Sequence, residues 1–323
     1  MNIHRASHLG MCFGVRDAIH LALDQAAQSP VTVLGDLVHN PTVLSRLRQN
    51  GVRIESDLDQ VRTSSVLITA HGASERRIGE VRARGLRVTE ATCPLVRVAH
   101  QALASLVAAG YHPVIIGLRD HVEVRGLTED LESFDVILDD WDVDAIEERS
   151  RFGVMAQTTQ PIARVRDLAA RLRQRFPRSE VRLVDTVCQP TKQRQHAAEE
   201  LAQRCEVIVV VGGAHSNNTR QLAATCRQYG AQVYQIETAA ELDPAWFTNA
   251  SDVGLTAGTS TPDEVINAVE QRLRIIATGS EARSAPGVPS VRHAEAVRLP
   301  EPEAALSRVE RGDRSIVHEL FRP

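Results

Sequence analysis

The sequence predicts an α/β chain built from three small domains related by pseudo-threefold symmetry. Three observations carry that expectation. A unit of strand, cysteine, helix, strand and polar tip occurs three times at a near-constant period. Many of its strands are short, continuous apolar runs ending in glycine, the pattern of buried parallel strands. Amphipathic helices separate those strands, as βαβ connections require.

The clearest copy spans residues 181–222. VRLVDTV is rich in β-branched residues and ends on Cys188. A helix is expected over 191–204, where apolar residues recur three and four apart. CEVIVVVGG then makes a buried strand, followed by the polar tip Ser216, Asn217 and Asn218. LRVTEATC ends on Cys93 and leads through a helix to PVIIG and the tip at His121. NIHRASHLGMC ends on Cys12 and leads to VTVLG and the tip at His39. The steps Cys12 to Gly35, Cys93 to Gly117 and Cys188 to Gly212 are 23, 24 and 24 residues. Each unit offers a second tipped strand: SVLITAHG with His71, FGVMAQTT with Thr158, DVGLTAGTS with Ser260. A period of about 90 residues implies domains rather than a thin solenoid. The modules are placed at 1–93, 94–187 and 188–277, with a linker and C-terminal tail over 278–323.

The intervening segments are structural. TVLSRLRQNGV, SERRIGEVRARGL, QALASLVAAGY, IARVRDLAARLRQRF and PDEVINAVEQRLRII are amphipathic, several with Gly or Pro stop signals. The acidic stretch 139–150, with Trp141, is expected as a surface excursion. EARSAPGVPS opens the tail with linker chemistry.

Composition excludes several classes. With 37 Lys and Arg against 41 Asp and Glu, the chain has no electrostatic case for nucleic acid or a membrane surface. The arginines are scattered along helices and read as solvated faces. No run approaches the roughly 18 apolar residues of a membrane span. The N-terminus lacks a signal pattern, so a cytoplasmic protein is expected.

Five cysteines, an odd count, argue against a disulfide framework. Cys205 and Cys226 fit small buried hydrophobes. Cys12, Cys93 and Cys188 stand at equivalent repeat positions and should converge on the pseudo-threefold axis as metal ligands. Soft thiolates suit zinc or a 4Fe–4S cluster held by three cysteines with one open iron. Thiolate chemistry alone does not choose between them.

The strand tips indicate what is bound. Open α/β units bind ligands at the carboxyl ends of their strands. His39, His71, His121, Ser216, Asn217, Asn218 and Ser260, near Gly212, Gly213 and Gly258, suit a phosphate or diphosphate. His4, His8, His20, His100, His112, His196 and His293 share no such register and receive no function; His215 adjoins the third tip. Glu123 is the one carboxylate in a candidate tip and suits proton delivery to a leaving hydroxyl. Thr158 or Thr159 suits holding that hydroxyl.

GMCFGVRDAI, GDLVHNP, AHGAS, TCPLV, HVEV, QTT, DTVCQPTKQRQ, SNN followed by TRQL, and TAGTSTP occur in this order. Together they resemble the LytB/IspH family of 4-hydroxy-3-methylbut-2-enyl diphosphate reductases over roughly residues 1–275. The resemblance implies three α/β domains around a central 4Fe–4S cluster with Cys12, Cys93 and Cys188 as ligands. It implies Glu123 as proton donor and Thr158 on the substrate hydroxyl. His39, His71, His121, Ser216, Asn218 and Ser260 would hold the diphosphate, and His121 would also relay protons. The implied reaction removes the allylic hydroxyl as water and yields isopentenyl and dimethylallyl diphosphate. Electrons would come from a ferredoxin or flavodoxin-type donor.

Departures from the family pattern fall at Val122 and Arg125 in the Glu123 loop, at Ala214, His215 and Asn217 before the third helix tip, and at Gln189 and Pro190 after Cys188. They keep two alternatives open: a divergent paralogue reducing another allylic diphosphate, and a zinc- or cluster-bound binding protein without activity.

Overall fold

The structure, a computed structural model, describes residues 1–279. The chain runs β1 (Asn2–Arg5), α1 (Phe13–Gln28), β2 (Val31–Leu34), α2 (Pro41–Gln49), β3 (Arg53–Glu55), β4 (Ser65–Ile68), α3 (Glu75–Ala83) and β5 (Arg87–Glu90). It continues through α4 (Pro94–Ala108), β6 (His112–Ile116), α5 (Val122–Thr128), β7 (Asp135–Ile137), α6 (Asp140–Ala145), β8 (Arg151–Ala156), α7 (Ile162–Arg175) and β9 (Glu180–Leu183). It closes with α8 (Gln189–Ala202), β10 (Val207–Val211), α9 (Asn217–Gln228), β11 (Gln232–Ile236), β12 (Asp252–Ala257) and α10 (Asp263–Ala277).

Twelve strands form three four-stranded sheets, ordered β3-β2-β4-β5, β7-β6-β8-β9 and β11-β10-β12-β1. Every pairing is parallel. The three orders are one topology, so the repeat read from the sequence is a structural repeat. In each sheet the two central strands are buried on both faces, which is why they read as unbroken apolar runs. Val31 and Val33, Val114 to Ile116, and Val207 to Val211 are all buried. Helix faces cover them: Ala18 and Ala22 of α1 and Leu47 of α2 pack on the first sheet. Leu168 and Leu172 of α7 pack on the second, and Leu222 of α9 and Leu273 of α10 on opposite faces of the third.

The N-terminal strand departs from the expected boundary of 1–93. β1 pairs with β12, Asn2 opposite Asp252, and completes the third sheet. Each sheet is finished by the strand that leads into a cysteine, and for the third sheet that strand lies at the other end of the chain. A local pattern carries no information on so distant a pairing. The stretch 139–150 also differs from expectation. α6 is capped by Asp139 and buries Val143, with Ile146 after it, against the second core, while Trp141 stays 82 % exposed. Apart from residues 278 and 279, the expected linker and C-terminal tail lie outside the described residues.

Both central strands of each sheet end at the switch point of the strand order, where helices leave to opposite faces and a crevice opens. The six tips at those ends are His39 and His71, His121 and Thr158, Ser216 and Ser260.

Candidate functional site

Cys12, Cys93 and Cys188 are the N-cap residues of α1, α4 and α8. Their backbones are anchored alike. The N–H of Cys12 donates to the Thr259 carbonyl, that of Cys93 to Ala70 and that of Cys188 to Thr158, each at 3.0 Å. Each cysteine is thus fastened beside the second tip of the sheet that precedes it around the axis. The sulfurs face one another. A Cβ on Gly14 of α1 would collide with the Cys93 Sγ. The Cys93 thiol is pushed up to about 12, first by burial and then by the nearby Cys12 and Cys188 sulfurs, against opposing backbone N–H groups. Burial likewise pushes Cys188 up to about 11, against the Thr191 hydroxyl 3.1 Å from its sulfur. Among the described residues, a trio of ligating groups whose atoms all lie within 4.8 Å of one another is formed by histidines.

That trio is His39, His71 and His121. His39 stacks on His71 with centroids 4.4 Å apart, and His121 meets them edge-on at 5.2 and 5.6 Å. The His121 Nδ1 accepts the Glu123 backbone N–H at 3.1 Å, capping α5. In the neutral ring that bond leaves the proton on Nε2. Burial holds all three imidazoles below their ordinary range; neighbouring cations add to it, His39 and His121 acting on His71, His39 and Arg220 on His121, and His215 and Arg220 on His39. His121 is brought to about 3. His39 Nε2 and His71 Nδ1 are buried without hydrogen-bond partners. Such atoms are expensive to leave unpaired, and an anion in the crevice would satisfy them.

The third module supplies the other wall. The Ser216 hydroxyl accepts the Thr219 N–H as cap of α9, a helix whose N-terminus faces the tips. The Ser260 hydroxyl donates to the His39 carbonyl at 3.2 Å. Asn217 and Asn218 divide their work. The Asn217 amide donates to the Thr159 hydroxyl at 2.8 Å and its oxygen accepts from Gln221, so its side chain is committed within the protein. Asn218 accepts the Thr259 N–H at 2.9 Å, while its Nδ2 is buried and unpartnered.

Glu123 is wholly buried on the first turn of α5. One carboxyl oxygen accepts the Thr158 N–H at 2.7 Å and the other its hydroxyl at 3.0 Å. Burial still prevails over those two bonds and pushes the carboxyl up to about 7. The Thr158 hydroxyl, expected on the substrate, is therefore engaged with the acid here. Glu123 is close enough to Cys188 to act on its thiol.

Two arginines escaped the sequence reading. Arg220, in the first turn of α9, is close enough to disfavour charge on His39 and His121. Arg194 of α8 is buried beside Cys12 and Cys188. Both lie on amphipathic helices, where an arginine looks like any solvated residue; only their place in the first two turns after a tip or a cysteine sets them apart.

The LytB protein family model matches residues 3–274. The chain belongs to the LytB family. Among its relatives, the 4-hydroxy-3-methylbut-2-enyl diphosphate reductase of Pelobacter propionicus is 37% identical over 275 residues, covering 84% of this LytB chain and 98% of its own. The protein of that name from Aquifex aeolicus is 34% identical over 280 residues, covering 85% and 96%. A solved (E)-4-hydroxy-3-methyl-but-2-enyl diphosphate reductase, described as the terminal enzyme of the non-mevalonate pathway, superposes with a TM-score of 0.62 at 34% identity, covering 85% and 99%. The Plasmodium falciparum E-1-hydroxy-2-methyl-but-2-enyl-4-diphosphate reductase reaches a TM-score of 0.79 at 23% identity, which bears on the LytB fold alone.

Proposed function

We propose that this chain is a 4-hydroxy-3-methylbut-2-enyl diphosphate reductase, converting its substrate to isopentenyl and dimethylallyl diphosphate. The observation that carries the reading is Glu123: a buried carboxyl near 7, gripped by Thr158, between the cysteine centre and a crevice of unpartnered histidine nitrogens.

Cys12, Cys93 and Cys188 would hold a 4Fe–4S cluster. Three soft thiolates are the donor set of such a cluster with one iron left open, whereas a structural zinc takes four protein ligands. Once bound, such a cluster supplies electrons one at a time and a Lewis-acidic iron without a protein ligand.

The chain's own residues do the rest. His39, His71, His121 and Asn218 turn nitrogen donors toward the diphosphate, with the Ser216 and Ser260 hydroxyls and the α9 N-terminus completing the grip. That grip orients the allylic end toward Thr158. At neutral pH a good part of Glu123 is protonated. The Thr158 hydroxyl can pass its proton to the departing hydroxyl and take one from Glu123, so the oxygen leaves as water. Two electrons and two protons balance the change: one C–O bond breaks, one C–H bond forms, and one water is released. A ferredoxin or flavodoxin-type protein would deliver the electrons. All five cysteines are free, in keeping with a reducing, cytoplasmic setting.

The test is anaerobic purification, iron and sulfide analysis, and turnover of the allylic diphosphate with a reduced viologen dye. Brown protein that turns over supports the proposal. Brown protein inert to this substrate points to the paralogue, and colourless protein after anaerobic reconstitution removes the mechanism.

A further inference from the structure

The strongest unexplained group in the molecule is Arg194. Its side chain is only 7% exposed. No carboxylate pairs with it among the described residues, and the opposite charges acting on it are the Cys12 and Cys188 sulfurs. Its Nε and Nη2 donate to the Gly10 carbonyl at 3.0 and 2.8 Å, and its Nη1 to the Pro190 carbonyl at 2.9 Å. Gly10 lies two residues before Cys12, and Pro190 two after Cys188. One guanidinium therefore ties together two cysteine segments from distant parts of the chain, Arg194 and Gly10 being 184 residues apart. Gly10 itself sits at φ +75°, a conformation that favours glycine, so the Cys12 loop has a backbone shape of its own that the guanidinium pins.

Burying a cation without a carboxylate is costly. Carbonyl oxygens satisfy its N–H groups but not its charge. The compensating charge must come from the cysteine centre when its sulfurs are thiolates. Cys12 and Cys188 have this buried cation at hand, whereas the cationic residues near Cys93 are exposed, as with Arg97.

We propose that Arg194 is a positioning and charge-compensating residue of the cysteine centre, fixing the Cys12 and Cys188 segments together and stabilising the more negative, reduced state of the bound group. This rests on the cluster reading above. A fixed positive charge beside a redox centre raises its potential, since charge and hydrogen bonding around a cluster tune it. Arg194→Gln should lower the midpoint potential in an EPR-monitored titration of the holoenzyme. A shift of about tenfold in the one-electron equilibrium is expected, or about 59 mV. Arg194→Lys keeps the charge and should stay near the wild-type potential despite losing the forked contact to Gly10.

A second arm needs no cluster. In the apoprotein, anionic iodoacetate and neutral iodoacetamide compete for Cys12 and Cys188, read by peptide mapping. Their ratio cancels thiolate population and reports local charge. It should fall severalfold in Arg194→Gln, recover in Arg194→Lys, and stay constant at Cys205. An unchanged ratio with an unchanged potential would overturn the assignment. Wild-type protein without iron and sulfide would sink the cluster reading alone, and the alkylation ratio would then decide the role of Arg194.

Discussion

Thr158 donates twice to Glu123, through its backbone N–H at 2.7 Å and its hydroxyl at 3.0 Å. The two residues follow β6 and β8, hydrogen-bonded neighbours in the second sheet. The acid is thereby aimed from one strand tip and held from the next. Glu123→Gln keeps the size and, through its amide oxygen, the bond from the Thr158 N–H; its NH2 can only donate to the Thr158 hydroxyl, reversing that bond, and the side chain cannot give up a proton. Turnover should fall by roughly 10²- to 10⁴-fold, with iron content and visible spectrum unchanged. Full activity in this variant would remove Glu123 from the mechanism.

The same carboxyl makes a stability prediction. Its folded value, about 7, lies above the ordinary glutamate value of 4.5. A raised folded value means stability is greatest below pH 4.5 and is lost as pH rises through 7. At pH 8 the wild-type apoprotein carries a buried charge that Glu123→Gln lacks. The variant should be the more stable there, by at most about 3 kcal/mol. The difference should vanish near pH 4 in urea titrations run across the range. A difference independent of pH would mean that Glu123 does not titrate in this window.

How far all this was legible in the sequence depends on range. Cys12, Cys93 and Cys188 stand out as candidates because a repeat turns three ordinary residues into one position. The histidine tips stand out because a buried parallel strand announces its end with glycine. β1 was misplaced because its partner, β12, lies about 250 residues away and no local period records the pairing. The bond between the Thr158 hydroxyl and Glu123 was not legible because it joins residues 35 apart. The hydrogen bonds of Arg194 and Asn217 were out of reach for one reason: pattern shows which residues share a face, not which of their atoms are already spent.

The histidine cluster should take up protons when it takes an anion. His39, His71 and His121 lie below their ordinary range because they are buried, with neighbouring cationic groups adding to it. A diphosphate among them favours the charged forms. Calorimetric titration with inorganic pyrophosphate at pH 7, in buffers of different ionisation enthalpy, should show net proton uptake. The sign also governs the free protein. A lowered folded value contributes stability above pH 6.5 that is lost as pH falls toward the folded values. Apoprotein should therefore weaken between pH 6 and pH 4, and pyrophosphate should offset the loss. Identical heats in all buffers would mean that the rings bind the anion without changing protonation.

Cysteine geometry can be tested without touching a cysteine. A methyl group on Gly14 would meet the Cys93 sulfur. Gly14→Ala should keep helical circular dichroism, since alanine favours helix, yet bind markedly less iron. Cys205→Ser is the control. Its sulfur is buried in the third core, away from the axis. It should cost about 1 kcal/mol of stability with iron unchanged. Iron loss in Cys205→Ser would mean that the wrong cysteines were chosen.

Asn217 and Asn218 are neighbours with opposite expectations. Asn217 spends its amide on Thr159, the residue after Thr158, and its oxygen on Gln221. Truncation to alanine removes the shorter of the two amide donors to the Thr159 hydroxyl, leaving that of Gln157 at 3.2 Å, at a cost of about 1 kcal/mol, and loosens the Thr158 turn. Its kinetic signature should be in kcat, because the turn aims the proton donor. Asn218 holds the Thr259 N–H with its oxygen and keeps a buried, unpartnered Nδ2. Only an incoming acceptor can use that nitrogen, so Asn218→Ala should act mainly on KM, raising it by roughly tenfold for one lost hydrogen bond to a charged group. Steady-state kinetics on the two variants decide the matter. Equal KM effects would show that both amides reach the diphosphate, which requires Asn217 to let go of Thr159 when substrate binds.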